Sequence, residues 1–439
     1  MQVEHHAHRR GLLRDVWQHG DRSFLGVGAL EDDQGGDFMR RTFVLAGAAA
    51  LMLAFTPMAT ADPLGDIIAP PADPSAYLPT PLEDPWFAPP AGYETSEPGT
   101  ALRTRSVAVQ PGTTSTQVLF RSTDSKNNPI AATTTVIVPD GPWTGDGPRP
   151  VVAYNEATDS LGNACAPSHT LPRGTNKELD RIQELLARNY AVAVTDYQGP
   201  RQAYSAGLVA GHTVLDGLRA SHSVGVDADA PVAITGYSGG AIASGWAAQL
   251  APKYAPELDI VGVAFGGPPT DYKILQRSLN GGIGSGLFTA ATIGLSREYP
   301  EMRTLANDNG KRLALIQKDQ CVDVLSYSGL LLFDQQNLSN VPDVFNHPIT
   351  RTVIEENRMG QIAPEAPTYI YQGLQDDLIP KEGAEAVQDQ WCAADASVHL
   401  EEIPGDHSAA EGAGRPGAFE WISQRLAGVP TGGCERVVR

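Results

Sequence analysis

The chain has 439 residues, of which 41% are hydrophobic and 19% are charged. This length and composition exclude a disordered chain and allow either one large domain with an insertion or two domains. The formal net charge of −19 argues against nucleic acid and against anionic membrane surfaces as partners.

Residues 39–61, MRRTFVLAGAAALMLAFTPMATA, have the three parts of a signal peptide: a basic start, an apolar run and an Ala-Thr-Ala cleavage site. The apolar run, residues 43–55, is too short to span a bilayer. We therefore expect secretion, with translation beginning at Met39, and no integral membrane span. Residues 1–38 are interpreted as an extension that results from a start codon assigned too far upstream. The arginine pair also resembles a twin-arginine signal, so the export route stays open.

Residues 62–92 follow the signal peptide and are rich in proline. Because proline fixes a backbone dihedral and removes an amide donor, this stretch cannot form a regular helix. We expect an extended N-terminal arm that lies over the body of the protein.

Beyond the arm, short apolar runs alternate with stretches of helical periodicity. The apolar runs predict strands at residues 132–139, 149–155, 190–197, 230–236, 259–267, 366–373 and 396–405. Helices are predicted at residues 176–189, 207–222 and 416–427. Strands that alternate with helices predict an α/β fold, in which helices cover both faces of a mainly parallel sheet.

Residues 270–365 interrupt this alternation, because about a hundred residues of helical character separate two predicted strands. A segment of this length is too long for an ordinary connection between a strand and a helix. We interpret it as a helical cap inserted into a core that is formed by residues 93–269 and 366–439.

The sequence GYSGG, residues 236–240, lies between a predicted strand and an alanine-rich helical stretch. A sharp turn from strand to helix makes the side chain of Ser238 project, and Gly236 and Gly240 remove Cβ atoms that would collide across the turn. The N–H of Gly239 lies near the positive end of a helix, where it can stabilise an oxyanion. This context predicts a nucleophilic serine rather than a chance Ser/Gly loop.

A nucleophilic serine needs a histidine base and an acid, which in this type of fold follow the serine in the order acid, histidine. Three histidines follow the serine: His347 in the predicted cap, His399 inside a predicted strand, and His407. We favour His407 because it follows the last predicted strand and opens onto a loop of small residues. The acid should end the preceding strand, where spacing favours Asp376 and leaves Asp377 as the alternative.

Four cysteines lie after the signal peptide: Cys165, Cys321, Cys392 and Cys434. An even number of cysteines in an exported protein predicts two disulfides, and four cysteines allow three pairings. A zinc site is the alternative, but the sequence has no Cys-x-x-Cys and no histidine that completes a spaced set. We expect no metal and no organic cofactor.

Several segments together resemble the secretory lipase family, which includes Candida antarctica lipase A and many actinobacterial lipases. The most specific are YNEATDSLGNACAPS, residues 154–168, and GYSGG. DPWFAPPAGYETSEPGTALRTR, QGLQDDLIP and GDHS also resemble family segments, so the resemblance extends from about residue 84 to residue 430. It implies the α/β-hydrolase fold for this chain.

The resemblance also implies roles for individual residues. Ser238, Asp376 and His407 would form the catalytic triad. The backbone N–H groups of Gly239 and Glu156 would hold the oxyanion. The cap would be an acyl-binding lid. The disulfide pairs that the resemblance implies are Cys165–Cys321 and Cys392–Cys434.

We therefore predict a secreted serine hydrolase that cleaves carboxylic esters, with triacylglycerols as the expected substrates. The expected partners are the ester or lipid molecule and, transiently, a lipid interface, whereas the oligomeric state stays open. Some apolar residues of the cap are candidates for a tunnel above Ser238, and glycines between residues 281 and 286 would let the segment move as a lid. The candidates are Ile283, Leu287, Phe288, Ile293, Leu295, Leu325, Leu330, Leu331, Leu332 and Phe333.

Three other functions share parts of this pattern. A short-chain or aryl carboxylesterase would use the same residues. A peptidase related to prolyl oligopeptidase has the same order of triad residues, but the sequence lacks the repeats of a propeller. An inactive hydrolase fold used for binding belongs to a different class, and the complete predicted triad argues against it.

Overall fold

The computed structural model describes residues 69–439. The predicted upstream extension, the signal peptide and the first residues of the arm lie outside the described residues. From residue 69 to the first strand, the chain forms three short 3₁₀ turns, two of which begin at an aspartate cap. This arm contacts the predicted cap where the backbone N–H and the hydroxyl of Thr80 donate to the Asp319 carboxylate at 2.6 and 2.7 Å.

The described strands form one sheet. They are β1 (Ala101–Val107), β2 (Thr113–Thr123), β3 (Pro129–Pro139), β4 (Val151–Asn155), β5 (Ala191–Thr195), β6 (Val232–Tyr237), β7 (Ile260–Gly266), β8 (Thr368–Gly373), β9 (Val398–Ile403) and β10 (Cys434–Val438). Their order is β1-β2-β3-β5-β4-β6-β7-β8-β9-β10. Pairs among β1, β2, β3 and β5 are antiparallel, and the remaining pairs are parallel. The prediction of a mainly parallel sheet is confirmed.

Helices cover both faces of the sheet. They are α1 (Pro167–Thr170), α2 (Leu179–Leu186), α3 (Gly207–Ser221), α4 (Gly239–Tyr254), α5 (Tyr272–Leu279), α6 (Ser285–Glu298), α7 (Asp308–Gln317), α8 (Val322–Ser328), α9 (Pro348–Glu356), α10 (Glu382–Ala393) and α11 (His407–Leu426). On one face, α3, α4 and α10 contribute Val214, Trp246 and Trp391 to a buried cluster. On the other face, α2 and α11 contribute Ile182 and Phe419 to a second cluster. The core therefore consists of two apolar layers with the sheet between them.

Three strands have no counterpart among the predicted ones. Strands β4 and β5 bury every residue, which is why their sequences are the apolar runs that the prediction found. In contrast, β1 carries two arginines and is partly exposed, β2 is rich in serine and threonine, and β10 is mostly exposed. Strands β1 and β10 lack an apolar run because they are the two edge strands. Strand β2 is mostly buried, but its apolar residues Val118, Leu119 and Phe120 form only a short run.

Between β7 and β8, the chain forms the helices α5 to α9 and several 3₁₀ turns, and this described segment contains no named strand. Helices α6 and α9 contribute Phe288, Leu295 and Val353 to a buried cluster of their own, which also reaches Ile130 of the sheet. The helical insertion expected from the sequence is therefore present. Because β4, β6, β8 and β9 are parallel, the residues that follow them meet at one edge of the sheet, next to this cap.

Candidate active site

The serine corner follows β6 directly. Ser238 has φ 53° and ψ −118°, a combination that is strained for a residue with a side chain, and its N–H donates to the carbonyl of Gly266 at 2.9 Å. The turn requires glycine because a Cβ on Gly236 would lie 2.5 Å from the Gly240 oxygen. A Cβ on Gly240 would lie 1.9 Å from the Asn155 oxygen. The corner therefore places the Ser238 hydroxyl at the start of α4, at the carboxyl edge of the sheet.

His407 lies between Ser238 and Asp376. Its Nε2 is 2.9 Å from Ser238 Oγ, and its Nδ1 is 2.7 Å from Asp376 Oδ2. When Nδ1 donates to the carboxylate, Nε2 is left free to accept the proton of the serine hydroxyl. The three side chains can therefore activate the hydroxyl as a nucleophile.

Asp376 is fixed by several hydrogen bonds, whereas the neighbouring Asp377 is exposed. The Asp376 side chain is fully buried. Its Oδ1 accepts from the N–H groups of Leu378 and Ile379 at 3.1 and 2.7 Å. Its Oδ2 accepts from Gln372 Nε2 at 2.9 Å in addition to its contact with the histidine. Of the two aspartates considered from the sequence, the structure brings Asp376 to the histidine.

His407 is the first residue of α11, and the expectation that it lies on a loop is wrong. The Asp406 side chain caps the helix by accepting from the N–H of Ala409 at 2.8 Å. The hydroxyl of Tyr237 donates to the carbonyl of His407 at 2.6 Å. The histidine is thus held by the capped start of the helix and by the residue that precedes the serine.

The two other histidines considered from the sequence have different surroundings. His347 caps α9, where its Nδ1 accepts from the N–H of Ile349 at 3.3 Å. His399 lies in β9, stacks on Tyr369 with ring centroids 5.1 Å apart, and places Nδ1 3.2 Å from Glu435 Oε2. Neither is joined to the serine by a hydrogen bond that the structure records.

Glu156, the second predicted oxyanion residue, follows β4 and is buried. Its Oε2 accepts from Asn176 Nδ2 at 2.5 Å. Burial, together with the nearby Glu178 carboxylate, raises the pKa of Glu156 well above its usual range. Its carbonyl carbon would lie 3.2 Å from a Cβ on Gly240, so its backbone lies beside the start of α4. Its role as an oxyanion donor stays a prediction.

Asp159 lies at the serine corner, and the sequence did not single it out. A Cβ on Gly239 would lie 1.6 Å from Asp159 Oδ1, so this carboxyl group occupies the space beside the first residue of α4. Burial, together with the nearby Glu178 carboxylate, raises the pKa of Asp159 to about 7, although His407 and the N–H groups of Asp159 and Gly239 act in the opposite direction. The backbone of Asp159 has φ 40°. The only sequence signal was an acidic residue in a short loop, which is too common to identify a site.

The cap contains an apolar cavity of about 100 Å³. Among the side chains that line it are Phe288, Ala291, Leu295 and Val353. Of the apolar residues that the sequence offered for a tunnel, five are buried: Phe288, Ile293, Leu295, Leu325 and Phe333. The cavity is a candidate for binding an apolar chain, because removing methylene groups from water is favourable.

Other apolar residues of the cap face outward. Ile283, Tyr327, Leu330 and Leu332 are exposed by 73%, 71%, 58% and 53%. We call these four residues the outer apolar patch. They are held near one another because a Cβ on Gly329 would lie 1.8 Å from the carbonyl oxygen of Ile283. Large apolar side chains that a protein keeps exposed are typical of binding surfaces.

The described residues contain two disulfides, in the pairs that the resemblance implied. Cys165–Cys321 joins the loop after β4 to the cap, and Cys392–Cys434 joins α10 to β10. Within residues 69–439, no group of three or more His, Cys, Asp or Glu residues is arranged to hold a metal. No helix in the same residues is long and apolar enough to cross a membrane.

Comparison with known proteins agrees with this architecture. A family model for secretory lipases matches residues 166–434. A probable inactive lipase of Mycobacterium tuberculosis is 33% identical over 80% of this chain and 83% of its own length. A secreted triacylglycerol lipase of Malassezia restricta is 31% identical over 80% of this chain and 81% of its own length.

Among solved structures, Candida antarctica lipase A superimposes with a TM-score of 0.76 at 27% identity. The match covers 84% of this chain and 90% of that one. The α/β-hydrolase fold that the resemblance implied is confirmed.

Proposed function

Because the chain belongs to the secretory lipase family, we propose that it is a secreted hydrolase of carboxylic esters whose substrates are triacylglycerols. The observation that carries the proposal is the continuous hydrogen-bonded series Ser238–His407–Asp376 at the strained corner after β6. The disulfides and the predicted signal peptide support secretion.

In the proposed reaction, Ser238 Oγ attacks the ester carbonyl while His407 Nε2 takes its proton. Asp376 keeps the imidazole oriented and stabilises its positive charge. The protonated His407 then donates to the leaving alcohol, and an acyl group stays bound to Ser238. A water molecule, deprotonated by the same histidine, attacks the acyl-enzyme and releases the carboxylic acid.

The oxyanion of each tetrahedral intermediate would lie between the N–H of Gly239 and the loop that contains Glu156 and Asp159. A negative carboxylate on Asp159 would oppose a second negative charge at this place. Because the pKa of Asp159 is raised to about 7, its carboxyl group is mainly neutral below pH 7, where it would not oppose the oxyanion.

The cap supports a lipid as the substrate. Its apolar cavity would take part of an acyl chain, and the outer apolar patch would contact the lipid phase from which a triacylglycerol must be extracted. The Malassezia restricta relative, which is named a secreted triacylglycerol lipase, supports the same substrate class.

A second candidate is an inactive hydrolase fold, because the Mycobacterium tuberculosis relative is named a probable inactive lipase. Labelling of the secreted protein with a fluorophosphonate, compared with Ser238→Ala, separates the two functions. We expect labelling that depends on Ser238, together with hydrolysis of a triglyceride emulsion. Labelling without hydrolysis of any ester would contradict the proposed function.

The substrate class has its own test. Hydrolysis of p-nitrophenyl esters from acetate to stearate should be measured beside a triolein emulsion. Replacing Leu330 with serine should lower activity on the emulsion and leave activity on dissolved p-nitrophenyl butyrate unchanged. Activity that peaks on acetate and is absent on triolein would identify a short-chain esterase instead.

A further inference from the structure

Arg297, in the cap helix α6, is buried and makes an unusual set of contacts. Only 4% of the residue is exposed, and its four recorded hydrogen bonds all go to backbone carbonyl oxygens. Nη1 donates to Leu161 at 2.8 Å and to Arg201 and Gln202 at 2.9 Å each, and Nη2 donates to Lys318 at 2.9 Å. A buried cation whose hydrogen bonds go only to neutral groups is costly to desolvate, so its retention needs a reason.

The four carbonyl groups belong to three separate segments of the chain. Leu161 lies in the loop after β4, and Arg201 and Gln202 lie in the loop after β5. Lys318 ends the cap helix α7. A guanidinium can reach all of them because its donors point in several directions from one plane. Arg297 therefore fastens the cap to two loops of the core.

The cap segment 318–322 is also tied directly to the loop after β4. The N–H of Leu161 donates to Gln320 O at 2.9 Å, and the N–H of Val322 donates to Ser160 Oγ at 2.9 Å. The disulfide between Cys165 and Cys321 closes the same contact covalently. The approach is close, because a Cβ on Gly162 would lie 2.3 Å from the Asp319 oxygen.

The core holds the same loop from the other side. The amide of Gln198 donates from Nε2 to Ser160 O at 3.0 Å, and the N–H of Ser160 donates to Gln198 Oε1 at 3.4 Å. Two residues upstream of Leu161, Asp159 lies against Gly239. The loop that faces the start of α4 is thus fixed between Gln198 in the core and Arg297 in the cap.

We propose that Arg297 is a positioning residue for ester hydrolysis, which holds the loop 156–161 where that loop and the N–H of Gly239 surround the oxyanion. This proposal rests on the proposed function, because it assigns the loop a part in stabilising the transition state. The stabilisation that a hydrogen-bond donor gives an oxyanion falls steeply when the donor moves. Loss of the residue that anchors the loop should therefore lower the reaction rate more than it weakens substrate binding.

The test compares Arg297→Lys and Arg297→Met with the wild type, using the full secreted chain. Lysine keeps the charge but cannot bond to all four carbonyl groups, and methionine removes both charge and donors. Arg312→Lys is the matched control, because Arg312 lies on the cap helix α7 and bonds only to Asn309, at 3.4 Å, among the recorded contacts. Ser160→Ala is a second variant, which loosens the same loop without removing a buried charge.

For each variant, kcat and KM are measured on p-nitrophenyl butyrate and dodecanoate, with active sites counted from the final extent of fluorophosphonate labelling. Counting sites separates misfolded protein from slow enzyme. We expect kcat per site to fall about 10–100-fold in the Arg297 variants, less for lysine than for methionine. KM should change by less than about threefold, and the two esters should lose the same factor. Ser160→Ala should lower kcat about three- to tenfold and Arg312→Lys should not change it.

An unchanged kcat per site in Arg297→Met or, if that variant does not fold, in Ser160→Ala would overturn the proposal. A loss confined to dodecanoate would also overturn it, because that result would place Arg297 in acyl binding instead. If the wild type hydrolyses no ester, the proposed function fails, and the rate of Ser238 labelling decides the inference. Slower labelling in Arg297→Lys supports the positioning role. An equal rate, or a wild type that is not labelled at all, overturns it.

Discussion

The carboxyl edge of the sheet and the helical cap are built in different ways. At the sheet edge, Ser238, Asp376 and His407 each lie within four residues of the end of a strand and are joined by hydrogen bonds. In the cap, the contacts around the cavity are mainly apolar, and residues such as Ile283 and Leu330 remain exposed.

Because of this difference, we expect the two regions to determine two different properties, the reaction rate and the choice of ester. Hydrogen bonds depend on direction and distance, so the sheet edge admits one arrangement of the reacting groups. Apolar contacts depend mainly on buried area and tolerate different shapes. We therefore expect changes at the sheet edge to alter the rate on every ester, and changes in the cap to alter which ester is preferred.

The largest effect is expected at the sheet edge. Ser238→Ala and His407→Ala should each lower kcat by at least about 10³-fold, equally on short and long esters. Asp376→Asn should also lower kcat strongly, whereas Asp377→Asn is the matched control because its side chain is exposed. Steady-state kinetics on purified variants check this. Hydrolysis that survives in Ser238→Ala, or a larger loss in Asp377→Asn, would contradict the assignment.

Filling the cap cavity should change selectivity instead. Ala291→Trp should lower kcat/KM on dodecanoate about 10–50-fold and change it little on butyrate, since each buried methylene is worth roughly 0.8 kcal/mol. Gly286, one of the glycines expected to let the cap move, is unsuitable for a bulky replacement because a Cβ there would lie 2.1 Å from Leu325 O. Ala394→Trp, at an exposed position, is the control.

A different outcome for Ala291→Trp would contradict this prediction. Equal losses on butyrate and dodecanoate would show that the cavity does not hold the acyl chain. The expectation that the cap determines which ester is preferred would then be wrong.

Removing each disulfide in turn tests how the covalent link between the cap and the core affects stability and kcat. Removing either bridge by Cys→Ser replacement should lower the free energy of unfolding by roughly 2–5 kcal/mol. The loss should be about 1 kcal/mol larger for Cys165–Cys321, whose cysteines are 156 residues apart, than for Cys392–Cys434, which are 42 apart. Chemical denaturation measures both values. Only the first bridge fastens the loop after β4, so only its loss should lower kcat.

The smallest effect concerns Asp159 and pH. Burial raises the pKa of its carboxyl group to about 7, so the group is mainly neutral at pH 6 and mainly charged at pH 8. A charged group beside Gly239 opposes the oxyanion. The kcat of the wild type should therefore fall relative to the kcat of Asp159→Asn as the pH rises through 7. We expect the kcat ratio of variant to wild type to increase a few-fold, by about the factor that one charge produces in a polar site. A ratio that stays constant from pH 6 to pH 8 would contradict this.

Sequence reasoning located the catalytic candidates with uneven precision. Ser238 was identified through the strand, the glycines and the helix around it. The clash of a Cβ on Gly236 with the Gly240 oxygen lies within this local pattern, whereas a Cβ on Gly240 would meet Asn155, which is distant in sequence. The choice between Asp376 and Asp377 depended on spacing alone, and the exposed side chain of Asp377 is a feature that spacing cannot reveal. Asp159 was missed because its significance comes from a neighbour about eighty residues later in the chain.

The sequence by itself determined the elements whose causes are local. These are the buried strands β4 to β9, the serine corner and the helical insertion between β7 and β8. Apolar runs and helical periodicity act over a few residues, as does the contact of Gly236 with the Gly240 oxygen, so they can be recognised along the chain.

Only the tertiary structure decided the rest. The edge strands β1 and β10, the neighbouring strand β2, the outward face of the cap and the contacts of Arg297 with three distant segments all depend on tertiary packing. Whether a leucine is buried or exposed, and whether an arginine is solvated or enclosed, depends on residues that are far away in sequence and pack against it. Burial and long-range hydrogen bonding arise when the chain closes on itself, and this is why local pattern could not specify them.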